Sequence, residues 1–153
     1  MKNQLSVLDD ELQEIVRSVG GDATVPPNCF RSMKAEFVEY ESRRSLTVKI
    51  PVLEESLNPL RDMQGGFLVA AFDNAFGPLS YLAARAPCVT LNLSTQFIRA
   101  VRVGDQVTVR AKVISRGRDV LQMSAEAYNL KNKLVATAAA VASVIRSSGP
   151  GAS

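Results

Sequence analysis

Histidine is absent from this chain of 153 residues. Its absence excludes Ser-His-Asp and Cys-His catalysis, metal sites built on imidazole, and a histidine general base. Acid–base chemistry would therefore have to rely on carboxylates, hydroxyls, side-chain amides or backbone groups. We predict no metal site.

Cysteine is also scarce, and the only two, Cys29 and Cys88, form neither a C-x-x-C pair nor a metal-binding spacing. We predict free thiols in a reducing compartment, with a disulfide between them as the alternative. The N-terminus lacks the apolar run of a signal peptide, and we expect no apolar stretch to reach the roughly 20 residues of a membrane span. The sequence therefore predicts a cytoplasmic protein without a membrane partner.

The charge is only mildly positive, at +3, and lysine and arginine are spread along the chain. A nucleic-acid-binding protein would show a basic patch with interleaved aromatic residues, and none is present. Modest attraction to an anionic small molecule fits this charge equally well. The length predicts a single domain over residues 1–146, and the composition of residues 147–153 predicts a disordered tail.

The segment from Gln64 to Ala84 is almost wholly apolar, opens with Gly65 and Gly66, and contains one charge, Asp73. A long apolar segment without a polar stripe is typical of a helix buried on all sides. The helical neighbours of Asp73 on its own face offer it no partner. Because an ionised carboxylate is costly in such a setting, Asp73 is a candidate for chemistry. Pro78 is expected to kink this helix or end its regular part.

The rest of the chain predicts one more helix and six strands. Leucines and valines at helical spacing predict an amphipathic helix over residues 5–19, with Ser6 as its N-cap. Alternating apolar and polar residues predict strands over 33–41, 44–51, 89–97, 106–114, 121–127 and 134–145. The alanine-rich last segment also permits a helix. We prefer a strand, because its small residues on one face would let a helix lie close to the sheet. The order predicts an α+β fold, one antiparallel sheet wrapped around one long helix.

The two glycines and Asp73 suggest a mechanism. Backbone N–H groups at the start of a helix have no partner within it and point outward with the positive end of its dipole, which suits a carbonyl oxygen that gains negative charge. Asp73 would be the base that activates water, or a nucleophile that forms a mixed anhydride. Eight residues of helix separate Gly65 from Asp73 by roughly 12 Å, too far to act on one carbonyl. The two groups would then come from different chains of a two-fold dimer.

Asn58, Gln64-Gly65-Gly66 and Asp73 stand at spacings that resemble the Asn-x5-His-Gly-Gly-x7-Asp pattern of hotdog-fold acyl-CoA thioesterases of the phenylacetate-pathway (PaaI-like) type. The resemblance continues through the strand after Val89, the Gly104-Asp105 turn and a Gly117-Arg118 hairpin, to Ile145. It implies a hotdog fold, hydrolysis of an acyl-CoA thioester, coenzyme A as part of the substrate rather than a cofactor, and a homodimer that pairs into a dimer of dimers. Gln64 stands where the family usually has histidine. Some hotdog thioesterases have glutamine there.

The resemblance also assigns roles to individual residues. Gly65 would polarise the carbonyl, Asn58 and Gln64 would orient the substrate or its carbonyl, and Thr90 would hold Asp73 or its water. The substrate and coenzyme A contacts that it implies are Gly66, Asn92, Ser115, Arg116, Gly117 and Arg118, of which the arginines suit phosphate.

Each of these residues also has a purely structural interpretation. The glycine pair suits a tight turn, Asn58 a loop turn, Gln64 an N-cap, Thr90 an ordinary strand position, and the two arginines a solvated hairpin. Asp73 would then only accept hydrogen bonds from a neighbouring subunit. The competing function is an acyl-CoA-binding hotdog module without turnover, which Gln64 keeps open. A hotdog dehydratase or hydratase is disfavoured, because those enzymes use a catalytic histidine.

Overall fold

A computed structural model describes residues 3–146, so the predicted tail lies outside the described residues. The structure has three helices, one 3-10 turn at Glu54–Ser56 and a sheet of six strands within this range. The helices are α1 (Gln4–Val19), α2 (Asn28–Ser32) and α3 (Gly65–Ala84). The strands are β1 (Glu36–Glu41), β2 (Ser45–Pro51), β3 (Cys88–Phe97), β4 (Gln106–Arg116), β5 (Val120–Tyr128) and β6 (Leu134–Val144).

The strands form one antiparallel sheet in the order β1-β2-β4-β5-β6-β3, and α3 packs on one face of it. The predicted α+β architecture is confirmed. The alanine-rich segment is strand β6, as preferred, and its alternate alanines are buried beneath α3: Ala136, Ala138, Ala140 and Ala142. Their small side chains let the helix approach the sheet, and β3 is left as an edge strand.

Helix α1 buries Leu8, Leu12 and Ile15. The predicted N-cap is wrong, because Asn3 caps the helix and its side chain accepts a hydrogen bond from the Leu5 N–H. Ser6 lies inside the first turn, where its hydroxyl donates to the Asn3 carbonyl at 2.7 Å. The helix therefore begins one residue earlier than predicted, and its cap lies three residues earlier.

The chain between α1 and β1 also differs from the prediction. Residues 28–32 form α2, and β1 begins at Glu36 rather than at Met33. Lys34 has a φ of +52°, which turns the chain out of α2 and into the strand. The strand can start only after this turn.

Helix α3 continues past Pro78 to Ala84 and ends at Arg85, whose φ of +54° is left-handed. The prediction that the helix is buried on all sides is wrong: Gly66, Phe67 and Asp73 are exposed. By length and composition alone α3 could also cross a membrane, contrary to our expectation for the sequence. Its packing on the sheet is that of a core helix, which meets the same criteria.

Candidate active site

The first turn of α3 is held in place by the loop before it. The Gln64 N–H donates to the Ser56 carbonyl and the Met63 N–H to the Val101 carbonyl, both at 2.7 Å. Asn58 organises the same loop, because its Oδ1 accepts hydrogen bonds from the N–H groups of Leu60 at 2.9 Å and Asp62 at 3.1 Å. The structure thus gives the Asn58 carbonyl oxygen a turn-forming role, and the predicted substrate contact remains a prediction.

The N–H groups of Gly65 and Gly66 have no acceptor among the residues that the structure describes. The first helical hydrogen bonds run from Phe67 and Leu68 to the Gln64 carbonyl. The two glycine amides are therefore free to donate to a ligand, and they stand at the positive end of the helix dipole. This is the donor arrangement that the sequence predicted.

Each of these glycines lies against a side chain that would meet a Cβ. At Gly65 a Cβ would lie 3.2 Å from the Phe97 ring, and at Gly66 it would lie 2.8 Å from Gln64 Oε1. Gln64, in the position where the related pattern has histidine, therefore folds its side chain back over the start of α3. Phe97, at the end of β3, was not anticipated, because only the tertiary packing brings it to Gly65.

Asp73 lies midway along α3 and has a partner from the sheet. The Thr90 hydroxyl donates to Asp73 Oδ1 at 3.1 Å, and both side chains are exposed. Thr90 pairs with Ala142, a residue of the buried alanine row, so its side chain points to the α3 side of the sheet. The partner of Asp73 therefore comes from outside the helix, and the Thr90 contact that the resemblance implied is present.

A β-bulge in β3 follows Thr90. Thr90 pairs with Ala142 and Asn92 with the next residue, Val141, so Leu91 is the extra residue. Bulges on edge strands often re-aim side chains beside functional sites. Asn92 consequently lies on the sheet face that is turned away from α3. The structure does not bring Asn92 together with Asp73.

The predicted hairpin lies at the other end of α3. Arg116 Nη1 donates to the Ala83 carbonyl at 3.0 Å, and Arg43 Nη2 donates to the same oxygen at 3.1 Å. Both guanidinium groups thereby satisfy an unpaired carbonyl at the negative end of the helix. Ser115 directly precedes Arg116 and is exposed on β4.

A cavity of about 870 Å³ adjoins this helix end. Its lining includes Gly117 and five arginines: Arg43, Arg85, Arg116, Arg118 and Arg146. Only Arg146 has an ion pair there among the described residues, with Asp119 at 2.7 Å. The cavity therefore carries a concentrated positive charge, which the sequence signalled only through Arg116 and Arg118.

Both cysteines are free, Cys29 exposed and Cys88 buried at the start of β3. Burial raises the pKa of the Cys88 thiol, so this group remains protonated near neutral pH. A thiolate nucleophile at Cys88 is therefore disfavoured.

Comparison with known proteins shows which family this chain resembles. Residues 62–136 match the family model described as the thioesterase superfamily. A Thermoplasma acidophilum protein named provisionally as an esterase is 28% identical over 99 residues, which cover 63% of this chain and 74% of that protein.

Two solved structures share the fold. The PaaI protein from the phenylacetic acid degradation operon of E. coli is 19% identical, with a TM-score of 0.78, and the match covers 92% of this chain and 98% of that one. A Streptococcus mutans protein solved with acetyl-CoA is 21% identical, with a TM-score of 0.71 and coverage of 85% and 98%. The chain therefore has the hotdog fold of these structures, and its residues 62–136 match the thioesterase superfamily.

Proposed function

We propose that this protein hydrolyses acyl-CoA thioesters at a site shared by two subunits, with Asp73 of one chain facing Gly65 of the partner subunit. The observation that carries the proposal is the separation of two complementary groups. The free amides and the Thr90-bound carboxylate lie on one uninterrupted helix, about 12 Å apart along its axis. The glycine amides and the Asp73 carboxylate of one chain therefore cannot both act on the same thioester carbonyl.

The edge strand β3 supports the dimer. Its exposed apolar residues include Val89, at 49% exposure, and Leu91, at 61%. An unpaired edge of this kind is a ready template for a second copy of the strand. If two β3 strands pair antiparallel about their midpoint, the Thr90 end of one lies beside the Phe97 end of the other. Since Thr90 contacts Asp73 and Phe97 contacts Gly65, this pairing brings Asp73 towards Gly65 of the partner subunit.

Hydrolysis then needs no further protein group. The Gly65 N–H of the partner subunit donates to the thioester carbonyl oxygen and stabilises the negative charge that forms there. As general base, Asp73 takes a proton from water while the water oxygen bonds to the carbonyl carbon. The carbon–sulfur bond then breaks, the proton passes to the leaving sulfur, and the products are the free acid and CoA. As nucleophile, Asp73 would itself bond to the carbonyl carbon, expel CoA and form an anhydride that water cleaves.

The arginine cavity would bind the phosphate groups of CoA. Arg118 lines it without a side-chain ion pair among the described residues, whereas Arg116 and Arg43 are engaged with the end of α3. Arg118→Gln should raise KM for acyl-CoA substrates. The same variant should leave KM unchanged for short thioesters that lack the nucleotide. An equal change in KM for both substrate types would contradict the proposal that the arginine cavity binds the CoA phosphates.

The proposal is tested by following thioester cleavage over a panel of acyl-CoAs with native protein, Asp73→Asn and the surface control Asp9→Asn. We expect Asp73→Asn to lower kcat about a hundredfold or more, while the control keeps native activity. Calorimetric binding of a non-hydrolysable thioether analogue should persist in Asp73→Asn. Tight binding without turnover by the native protein would instead support the alternative function, an acyl-CoA-binding module. That alternative stays open because Gln64 stands where the related pattern has histidine.

A further inference from the structure

A second cavity, of about 510 Å³, runs from Asp73 along the groove between α1 and α3. Asp73, Gly77 and Tyr81 line it from α3, while Leu12 and Val16 line it from α1. The segment 23–29 closes its outer side. From Asp73 to Tyr81 the groove follows eight residues of helix, which is about 12 Å. It is thus a long compartment with the candidate catalytic carboxylate at one end.

The absence of a side chain at Gly77 keeps this groove open. Glycine inside a helix is less favourable than alanine by about 1 kcal/mol, and close packing is the usual structural reason for it. At Gly77 packing does not require it, because a Cβ would meet no atom of residues 3–146 within 4 Å. The missing side chain leaves the groove open where any larger residue would narrow it.

The cavity lining is almost free of charge among the described residues. Apart from Asp73, the described residues around the cavity carry no charged side chain. Asn74, only 8% exposed, offers an amide, but its atoms contact the sulfur atoms of Cys29 and Met33. Burial raises the pKa of the Tyr81 phenol, so this ring is neutral across the physiological range. A charged ligand group would have no countercharge in this groove.

We infer that this cavity is the acyl pocket, and that it selects an uncharged, predominantly apolar acyl group, a medium-length chain or an aromatic ring, whose depth of entry is set by Gly77. The inference rests on the proposed function and adds the substrate class to it. The volume lies within the range of about 300–1,000 Å³ that small-molecule sites occupy. Acyl groups that end in a carboxylate are excluded, because burying that charge without a partner is costly.

The inference is tested by a variant that places a larger side chain at Gly77 and so narrows the groove. The native protein, Gly77→Leu and Gln13→Leu are assayed with acetyl-CoA, octanoyl-CoA, phenylacetyl-CoA and the carboxylate-bearing glutaryl-CoA. Gln13 is exposed on α1 and lies outside the cavity lining, so its variant controls for an added leucine. Circular dichroism and urea unfolding verify that each variant is folded.

For the native protein we expect kcat/KM to be higher for octanoyl-CoA than for acetyl-CoA, and lowest for glutaryl-CoA. Gly77→Leu should lower the ratio of octanoyl to acetyl kcat/KM about tenfold or more, since each methylene in a fitted pocket discriminates by that order. Gln13→Leu should leave the ratio unchanged. The inference is overturned if Gly77→Leu lowers both substrates equally or leaves the ratio native, even though hydrolysis requires Asp73. Loss of the Asp73 requirement would instead overturn the proposed function.

Discussion

The Thr90 hydroxyl donates a hydrogen bond of 3.1 Å to Asp73 Oδ1, and this contact links the edge strand β3 to the middle of α3. A fixed carboxylate can hold a water molecule at one angle to a bound carbonyl, whereas a free one would sample several rotamers. The same contact places the candidate catalytic group directly beside the strand that we propose as the dimer interface.

Thr90→Val removes this hydrogen bond and nearly keeps the side-chain shape. Because an unfixed carboxylate would sample several rotamers, we expect kcat to fall about tenfold. KM should change much less, since the hydroxyl acts through Asp73. Steady-state kinetics of Thr90→Val and Thr90→Ser measure both constants. Recovery of kcat in Thr90→Ser is required, and a Val variant with native kcat would show that the contact is only structural.

The two glycines at the start of α3 should respond differently to alanine. A Cβ at Gly65 meets the Phe97 ring at 3.2 Å, so Gly65→Ala should destabilise the fold by about 1 kcal/mol. At Gly66 the obstacle is the end of the flexible Gln64 side chain, so Gly66→Ala should cost less than about 0.5 kcal/mol. Urea unfolding measures both. Phe97→Ala in the Gly65→Ala background should reduce the additional cost of the alanine, and an undiminished cost would place the strain elsewhere.

Gly77→Ala should stabilise the protein. The position lies inside α3, and a Cβ there meets no atom within 4 Å in the part of the chain that the structure describes, so the alanine gains helix propensity without a clash. We expect the free energy of unfolding to rise by about 0.5–1 kcal/mol. Urea unfolding with an unchanged m-value checks this. A destabilised variant would mean that the groove is packed more closely than the structure shows.

The cysteines should differ in reactivity. Cys29 is exposed, whereas Cys88 is buried and burial raises its pKa, so its thiolate fraction near pH 8 is smaller than that of an ordinary thiol. We expect a disulfide reagent to titrate one thiol rapidly in the native protein and two after unfolding. Cys29→Ser should abolish the rapid phase, and rapid modification of both thiols in the native state would contradict the buried position of Cys88.

Local patterns anticipated much of the fold because each strand alternates and α3 is a long apolar run. The alternation placed β6 correctly despite its alanine content. The two glycines that open the apolar segment predicted the unpaired helix amides, and the single charge in that segment made Asp73 a candidate. The bulge at Leu91 and the Phe97 contact with Gly65 depend on how β3 crosses α3, which no local pattern encodes. The N-cap moved from Ser6 to Asn3 for a related reason, since several residues near a helix start can cap it and tertiary packing decides among them.

The cavity between α1 and α3 was missed for the same physical reason. It forms between α1 and α3, two helices that are separated by more than forty residues of sequence. Gly77 carried a weak signal, as a glycine within a helical segment, but only the packed structure shows that nothing occupies the space beside it.

The shared active site needs variants that each remove one half of it. Asp73→Asn removes the carboxylate. In a second chain, Gly65→Pro removes the N–H, and proline suits this first position of a helix. Combining it with Phe97→Ala relieves the contact between the new ring and the Phe97 side chain. Size-exclusion chromatography and circular dichroism verify that both variant chains fold and associate.

The most direct measurement is the activity of an equal mixture of these two chains after their subunits have been exchanged. Each chain alone should be nearly inactive, because every site in it lacks one group. In a mixed dimer one site combines the intact Asp73 with the intact Gly65 of the partner subunit. The mixture should therefore recover about one quarter of native activity. A mixture as inactive as its components, with mixed dimers shown to be present, would contradict a site built from two subunits.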